Sequence, residues 1–248
     1  MLTIKNQAEI EKMRRAGYIV AEVLALMAEM VRPGITTKDL DIAAEKLIRS
    51  RGARPLFLGY GGFPASICAS VNEQVVHGIP GDRVLKAGDI ISIDVGAEKN
   101  GYCGDAARTF AVGEIDPETR RLLEVTELSL QKGWEKAVCN NRLGDIAHCV
   151  QKTVEKAGFS VVRDYTGHGI GKRMHEDPAV PNYGKAGSGM KLVNGMALAI
   201  EPMVNMGTHK VITLSDGWTV VTKDLMPSAH FENTVAITPK GPRLLTVL

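Results

Sequence analysis

An α+β fold is predicted for this chain by three observations. Helical segments flank groups of apolar strands in both halves, and the later strands are short and joined by tight turns, as antiparallel neighbours are. No repeat, low-complexity run or linker divides the 248 residues, so residues 1–248 read as a single domain.

In order along the chain, Asn6 followed three residues later by Glu9 is a capping-box start. Ile10, Met13, Gly17, Val20, Leu24, Met27 and Val31 then recur at three- and four-residue steps, predicting one long amphipathic helix closed by Pro33-Gly34. Thr37 is expected to cap a second helix over 38–51, ended by Gly52. The stretch 55–80 is glycine-rich, with Tyr60 and Phe63 in a loop and a strand over 67–71. Asp116-Pro117 opens a helix expected to run to about Asn140, and another spans 143–157 before Gly158. Strands are predicted over 159–165, 196–202, 211–214, 218–222 and 230–237.

Composition excludes several classes. A net charge of +2 does not mark a dedicated nucleic-acid binder. Four cysteines without a C-x-x-C pair are expected as free thiols in a reducing compartment. No signal peptide or membrane span is legible, because Glu22 and Glu29 interrupt the longest apolar candidate; the expected location is cytoplasmic.

The stretch IISIDVGAEKNGYCGDAARTF, 90–110, holds the centre. Asn100-Gly101 is a type I′ hairpin signal, since both residues tolerate positive φ. With that turn at the tip, Gly96 faces Asp105 and Asp94 faces Ala107. The two aspartates therefore share one sheet face as diagonal neighbours, roughly 7–8 Å apart. A carboxylate buried in such an apolar strand needs a cationic partner.

Further chemistry-bearing residues follow the same pattern. His168 stands in T-G-H-G-I-G, which fits neither phosphate-loop spacing but lets backbone and ligand approach the imidazole. His175-Glu176 lacks the second histidine of H-E-x-x-H. Glu201 and Glu232 each interrupt an apolar strand, and Pro202 holds Glu201 extended. Asp94, Asp105, His168, Glu201 and Glu232 together would place four negative charges in one core, and two divalent cations are the simplest neutraliser. Four carboxylates and an imidazole suit Mn²⁺, Fe²⁺, Co²⁺ or Zn²⁺. His77, alone between Val76 and Gly78, reads more readily as structural than catalytic.

These residues resemble the type I methionine aminopeptidases along the whole chain. The similarity rests on Val76-His77-Gly78-Ile79-Pro80, on Asp94 and Asp105 eleven apart, and on Thr166 through Gly171. It extends through His175-Glu176, Ala199 through Met203 and Phe231 through Thr234. The resemblance implies the pita-bread fold, with two pseudo-symmetric halves around a curved antiparallel sheet, and removal of the initiator methionine from nascent chains whose second residue is small. It implies that Asp105 and Glu232 bridge two metal ions, that Asp94 completes one site, and that His168 and Glu201 complete the other. Glu201 would shuttle a proton, His175 would stabilise the tetrahedral intermediate, and His77 would meet the substrate backbone. Tyr60, Phe63, Cys68, Met174 and Trp218 would form the methionine pocket. Cys103 and Asn233 stand where relatives often have histidine, which puts tuning around the metals in doubt. The length matches the compact bacterial form and leaves no room for the extra N-terminal domain of the proline-specific relatives. Nascent N-termini are the expected partners, with a weak ribosome contact permitted and a monomer expected. Leu2 is too large a second residue, so Met1 itself is expected to persist.

Overall fold

The computed structural model describes residues 2–248, so the expected retention of Met1 lies outside the described residues. Helix α1 is Gln7–Met30, and Asn6 and Glu9 close the capping box foreseen. Its buried face includes Ile10, Met13, Gly17, Val20, Leu24 and Met27 and lies on the Ile90–Lys99/Tyr102–Ala111 hairpin. Two close approaches of the helix, one to the hairpin and one to the C-terminal segment, need glycine. A Cβ on Gly104 would meet the Gly17 nitrogen at 2.6 Å, and one on Gly17 would meet the Leu245 carbonyl at 2.2 Å.

Helix α2, Thr37–Ser50, starts one residue earlier than expected. Thr36 is the cap: its hydroxyl accepts the Asp39 N–H at 3.1 Å, while the Asp39 carboxylate accepts the Thr36 N–H at 3.1 Å. Thr37 instead donates its hydroxyl to the Gly81 carbonyl. Helix α3, Pro117–Trp134, opens on Asp116 as predicted but stops six residues short of Asn140. Tight turns, Lys136 N–H to Gly133 O and Ala137 N–H to Trp134 O, take over there without any proline to announce them. Helix α4 is Leu143–Lys156, followed by Gly158 at φ +85°.

The strands form four sheets, all paired antiparallel. In the first, the hairpin register is the predicted one, Gly96 opposite Asp105 and Asp94 opposite Ala107, with Asn100 and Gly101 at φ 54° and 76°. In the five-stranded sheet, Asn233–Thr238 pairs with Ala197–Ile200, which pairs with Gly167–Gly169. Helices α1 and α2 cover the first of these sheets, and α3 and α4 pack together on the second half.

Two strands expected to be continuous are broken. The run 196–202 is a strand only over Ala197–Ile200, with a separate strand, Met203–Asn205, starting after Pro202, and 230–237 divides into Ser228–His230 and Asn233–Thr238. The breaks coincide: Ile200 pairs with Asn233 in one sheet and Met203 with His230 in another, leaving Glu201-Pro202 opposite Phe231-Glu232. Pro202 has no N–H to continue a ladder. The strand pair thus passes from one sheet to the next at the two carboxylates. The strand predicted over 159–165 shrinks to Ser160–Val161, because exposed Arg163 and Asp164 turn the chain away.

The N-terminal segment is tied in by a buried ion pair, Lys5 Nζ to Glu176 Oε2 at 2.8 Å. The other Glu176 oxygen accepts the Lys172 and Arg173 N–H groups, so this carboxylate shapes the turn that delivers Met174 and His175.

Candidate metal centre and substrate pocket

Asp94 and Asp105 come from the hairpin, His168 from Gly167–Gly169, and Glu201 and Glu232 from the paired strand breaks. All five line one cavity of about 150 Å³. Their placement is fixed by backbone bonds across elements. The Thr234 hydroxyl accepts the Asp105 N–H at 3.0 Å and donates to the Asp105 carbonyl at 2.8 Å. The Glu232 N–H donates to the Ala107 carbonyl at 2.9 Å.

The electrostatics of this floor are unbalanced as they stand. Asp94 Oδ1, Asp105 Oδ1 and Glu232 Oε1 are buried and accept no hydrogen bond. His168 Nδ1 lies 2.9 Å from the Gly169 carbonyl, which can only accept, so Nδ1 carries the proton. Nε2 is left as a bare lone pair, 3.6 Å from Glu201 Oε1 and 4.0 Å from Asp105 Oδ2. Burial and the neighbouring His175 depress this imidazole to about 4, so it is not a cation. Burial raises every carboxylate: Asp94 to about 7, Glu201 to about 8, Asp105 and Glu232 well above the usual range, the last two also by the neighbouring carboxylates. Two overlapping clusters, Asp105/His168/Glu232 and Glu201/His230/Glu232, each bring ligand atoms within 4.8 Å of one another. Orphaned acceptors facing one another call for divalent cations, and the donor set of oxygens and imidazole nitrogen fits them.

A pH prediction follows. Raised carboxylate pKa values mean that the folded, metal-free protein holds protons the unfolded chain has released. That stability is fully present below the ordinary values of 3.8 and 4.5 and is lost as pH rises through the folded ones, about 7 at Asp94 and about 8 at Glu201. His77 and His168, depressed to about 4, act in the opposite sense below their ordinary 6.5, so the clean window is about pH 6.5 to 8. There the stability of chelated protein should fall with pH, by about 1.4 kcal/mol per unit for each proton held, and its melting temperature should fall with it. Divalent ions should raise it most at the alkaline end. A metal-free melting temperature that climbs across this window would contradict the buried-carboxylate account.

Above the floor the wall is apolar. Phe63 and Trp218 meet edge to face at 5.2 Å, and Cys68, Met174 and Tyr60 line the same cavity. The Cys68 thiol is pushed well above its usual value by burial and by Asp94 and Asp105, so it is an inert wall. His77 also lines the cavity, edge-on to Trp218 and Tyr165. It holds φ 59°, a strained value for a non-glycine residue. A Cβ on the next residue, Gly78, would strike the Ala69 carbonyl at 2.4 Å, which accounts for the His-Gly order. His175 Nδ1 is 2.6 Å from the Tyr60 hydroxyl, and its ring stands edge-on to His168 at 4.3 Å.

Every residue singled out in the sequence for metal, catalysis or pocket therefore lines one cavity. Three others were missed. Phe57 completes the wall. His230 Nε2 is buried, without a hydrogen-bond partner, and 3.4 Å from Glu201 Oε2. Thr234 clamps Asp105. His230 had a signal: in extended chain it shares a face with Glu232, two residues on. Cys103 and Asn233 do not line the cavity. The Cys103 thiol points at the Lys172 carbonyl, and the Asn233 side chain bonds Thr246 and Arg108.

Comparison with known proteins identifies the family. The model of metallopeptidase family M24 matches residues 11–239. A methionine aminopeptidase of Clostridium acetobutylicum is 60% identical over 248 residues, 100% of this chain and 99% of that protein. One from Clostridium perfringens is 58% identical over the full length of both. The crystal structure of a methionine aminopeptidase from Thermotoga maritima superposes with a TM-score of 0.99 at 47% identity, covering 100% of each chain. The fold is that of an M24 metallopeptidase with the pita-bread architecture, and the chain belongs to that family. Within it, the chain falls among the methionine aminopeptidases of the type I bacterial form.

Proposed function

We propose that residues 1–248 act as one catalytic domain that removes the initiator methionine from nascent polypeptides whose second residue is small. The observation that carries this reading is the floor of unpartnered buried carboxylates beneath an aromatic and thioether-lined wall. Asp94, Asp105, His168, Glu201 and Glu232 would hold two divalent ions, Asp105 and Glu232 shared between them. Bound there, Co²⁺, Mn²⁺, Fe²⁺ or Zn²⁺ would acidify a water and polarise the scissile carbonyl.

The chain's own groups do the rest. Tyr60, Phe63, Cys68, Met174 and Trp218 enclose the methionine side chain. His77 bonds the substrate backbone near the scissile bond. Glu201 takes a proton from the attacking water and returns it to the departing amine. His175 donates to the oxygen on which charge develops, its ring held by Tyr60. The rings of Tyr60, His77 and Trp218 line the same cavity, and in this reading they leave room for only a small second residue.

Among the described residues no helix is long and apolar enough to cross a membrane, and all four cysteines are free. The working form in this reading is a monomer acting in the cytoplasm on nascent N-termini, and a net charge of +2 permits a weak ribosome contact.

The test is hydrolysis of Met-Ala-Ser against Ala-Pro and Gly-Pro peptides, before and after chelation. Met-Ala-Ser alone should be cleaved, chelation should abolish cleavage, and Co²⁺ or Mn²⁺ should restore it. Full activity in rigorously metal-free protein would sink the dinuclear reading, and preference for X-Pro peptides would sink the substrate assignment.

A further inference from the structure

Arg108 lies three residues past Asp105 on the same strand, and the alternation of side chains turns it to the opposite face. It lines a groove beside α3 with Glu124, Glu127 and Asn233, outside the catalytic cavity. Nη1 donates to the Ala107 carbonyl at 2.7 Å and to the Glu232 carbonyl at 2.5 Å, and Nη2 to Asn233 Oδ1 at 3.1 Å. The same Ala107 carbonyl accepts the Glu232 N–H. Both peptide groups of Glu232 are therefore held by one unit, Arg108 and the carbonyl it grips.

That grip answers a specific need. Glu232 sits in the break between Ser228–His230 and Asn233–Thr238, where no ladder partner fixes its backbone. A buried carbonyl there would otherwise lack a donor. The guanidinium supplies several donors in a rigid plane, so one side chain can span the Ala107 and Glu232 carbonyls and the Asn233 side chain at once. Its positive charge also lies behind a cluster of four carboxylates, with Glu127 of α3 across the groove.

We infer that Arg108 is a positioning residue that sets Glu232 for metal capture, locking the strand break to the hairpin that carries Asp94 and Asp105. The inference rests on the reading of Glu232 as a ligand. Residues that orient metal ligands from behind typically contribute a factor of about 10–100 in metal affinity.

Titration calorimetry of Mn²⁺ into metal-free protein tests it, using Arg108→Gln, Glu232→Gln and the double variant. Arg108→Gln should bind Mn²⁺ about 10–100-fold more weakly. Its activity should recover at excess Mn²⁺ with an unaltered KM for Met-Ala-Ser, and the double variant should bind no worse than Glu232→Gln alone. Arg108→Lys keeps the charge but not the fork, so it should show a smaller loss; it carries the same test if Arg108→Gln does not fold. Parental affinity in both Arg108 variants, with Glu232→Gln weakened, would overturn this inference alone, as would additive losses in the double variant. Parental affinity in Glu232→Gln would overturn the ligand reading and the inference with it.

Discussion

Asp105→Asn should leave a folded protein that no longer holds two metal ions and has the peptidase activity of the metal-free form. Asp105 is 4% exposed, and its backbone is gripped on both sides by the Thr234 hydroxyl. Asparagine keeps the size of the side chain and both of those bonds, so the strand has no reason to move. What changes is chemistry. One acceptor becomes an N–H₂ donor, and it would face ligand atoms that must themselves accept a positive ion. Because Asp105 is the carboxylate that both sites are proposed to share, both should weaken together. Elemental analysis should give fewer than one ion per chain. Asparagine carries no charge at any pH, so the metal-free variant should melt no lower than the metal-free parent at about pH 8, where that parent must keep Asp105 protonated against the solvent. That combination separates lost coordination from misfolding. Retention of two ions with low activity would show that Asp105 serves the reaction without bridging.

The half of the site built on Asp94 and Asp105 was legible because one local signal determines it. Asn100-Gly101 accepts positive φ at both central positions, and a two-residue turn leaves a single register. The other half depended on tertiary pairing. The runs around Glu201 and Glu232 look like unbroken strands, and only Pro202 hints otherwise. The matched break arises because the same two chain segments pair in two different sheets, which no periodicity can reveal. His230 was passed over as one polar residue inside a run assigned to a strand, although strand alternation puts it on the face of Glu232. The early end of α3 left no mark because no glycine or proline stands between Trp134 and Asn140. For Arg108, alternation gives the face, but only the fold brings the Glu232 carbonyl 124 residues away within reach.

His175→Ala is expected to separate catalyst from ligand. His175 follows His168 by seven residues and lines the same cavity, and the two rings stand 4.3 Å apart, so proximity alone does not assign it a role. Its hydrogen bonding does. Nδ1 is engaged by the Tyr60 hydroxyl at 2.6 Å, whereas His168 keeps Nε2 bare among the carboxylates. The candidate metal clusters include His168 and not His175. In the tautomer whose Nδ1 accepts from the phenol, Nε2 carries the proton and can donate to an oxygen that becomes negative only as the peptide bond is attacked. Removing one such donor costs on the order of 10²–10³ in kcat, about 3–4 kcal/mol. Metal content should stay at two ions and KM should barely change, since the donor acts in the transition state rather than in substrate binding. Tyr60→Phe, which removes only the phenol that orients the ring, should lower kcat by a smaller factor with metals again retained. Loss of metal in step with activity in His175→Ala would instead make His175 a ligand and reverse the division of roles between the two histidines.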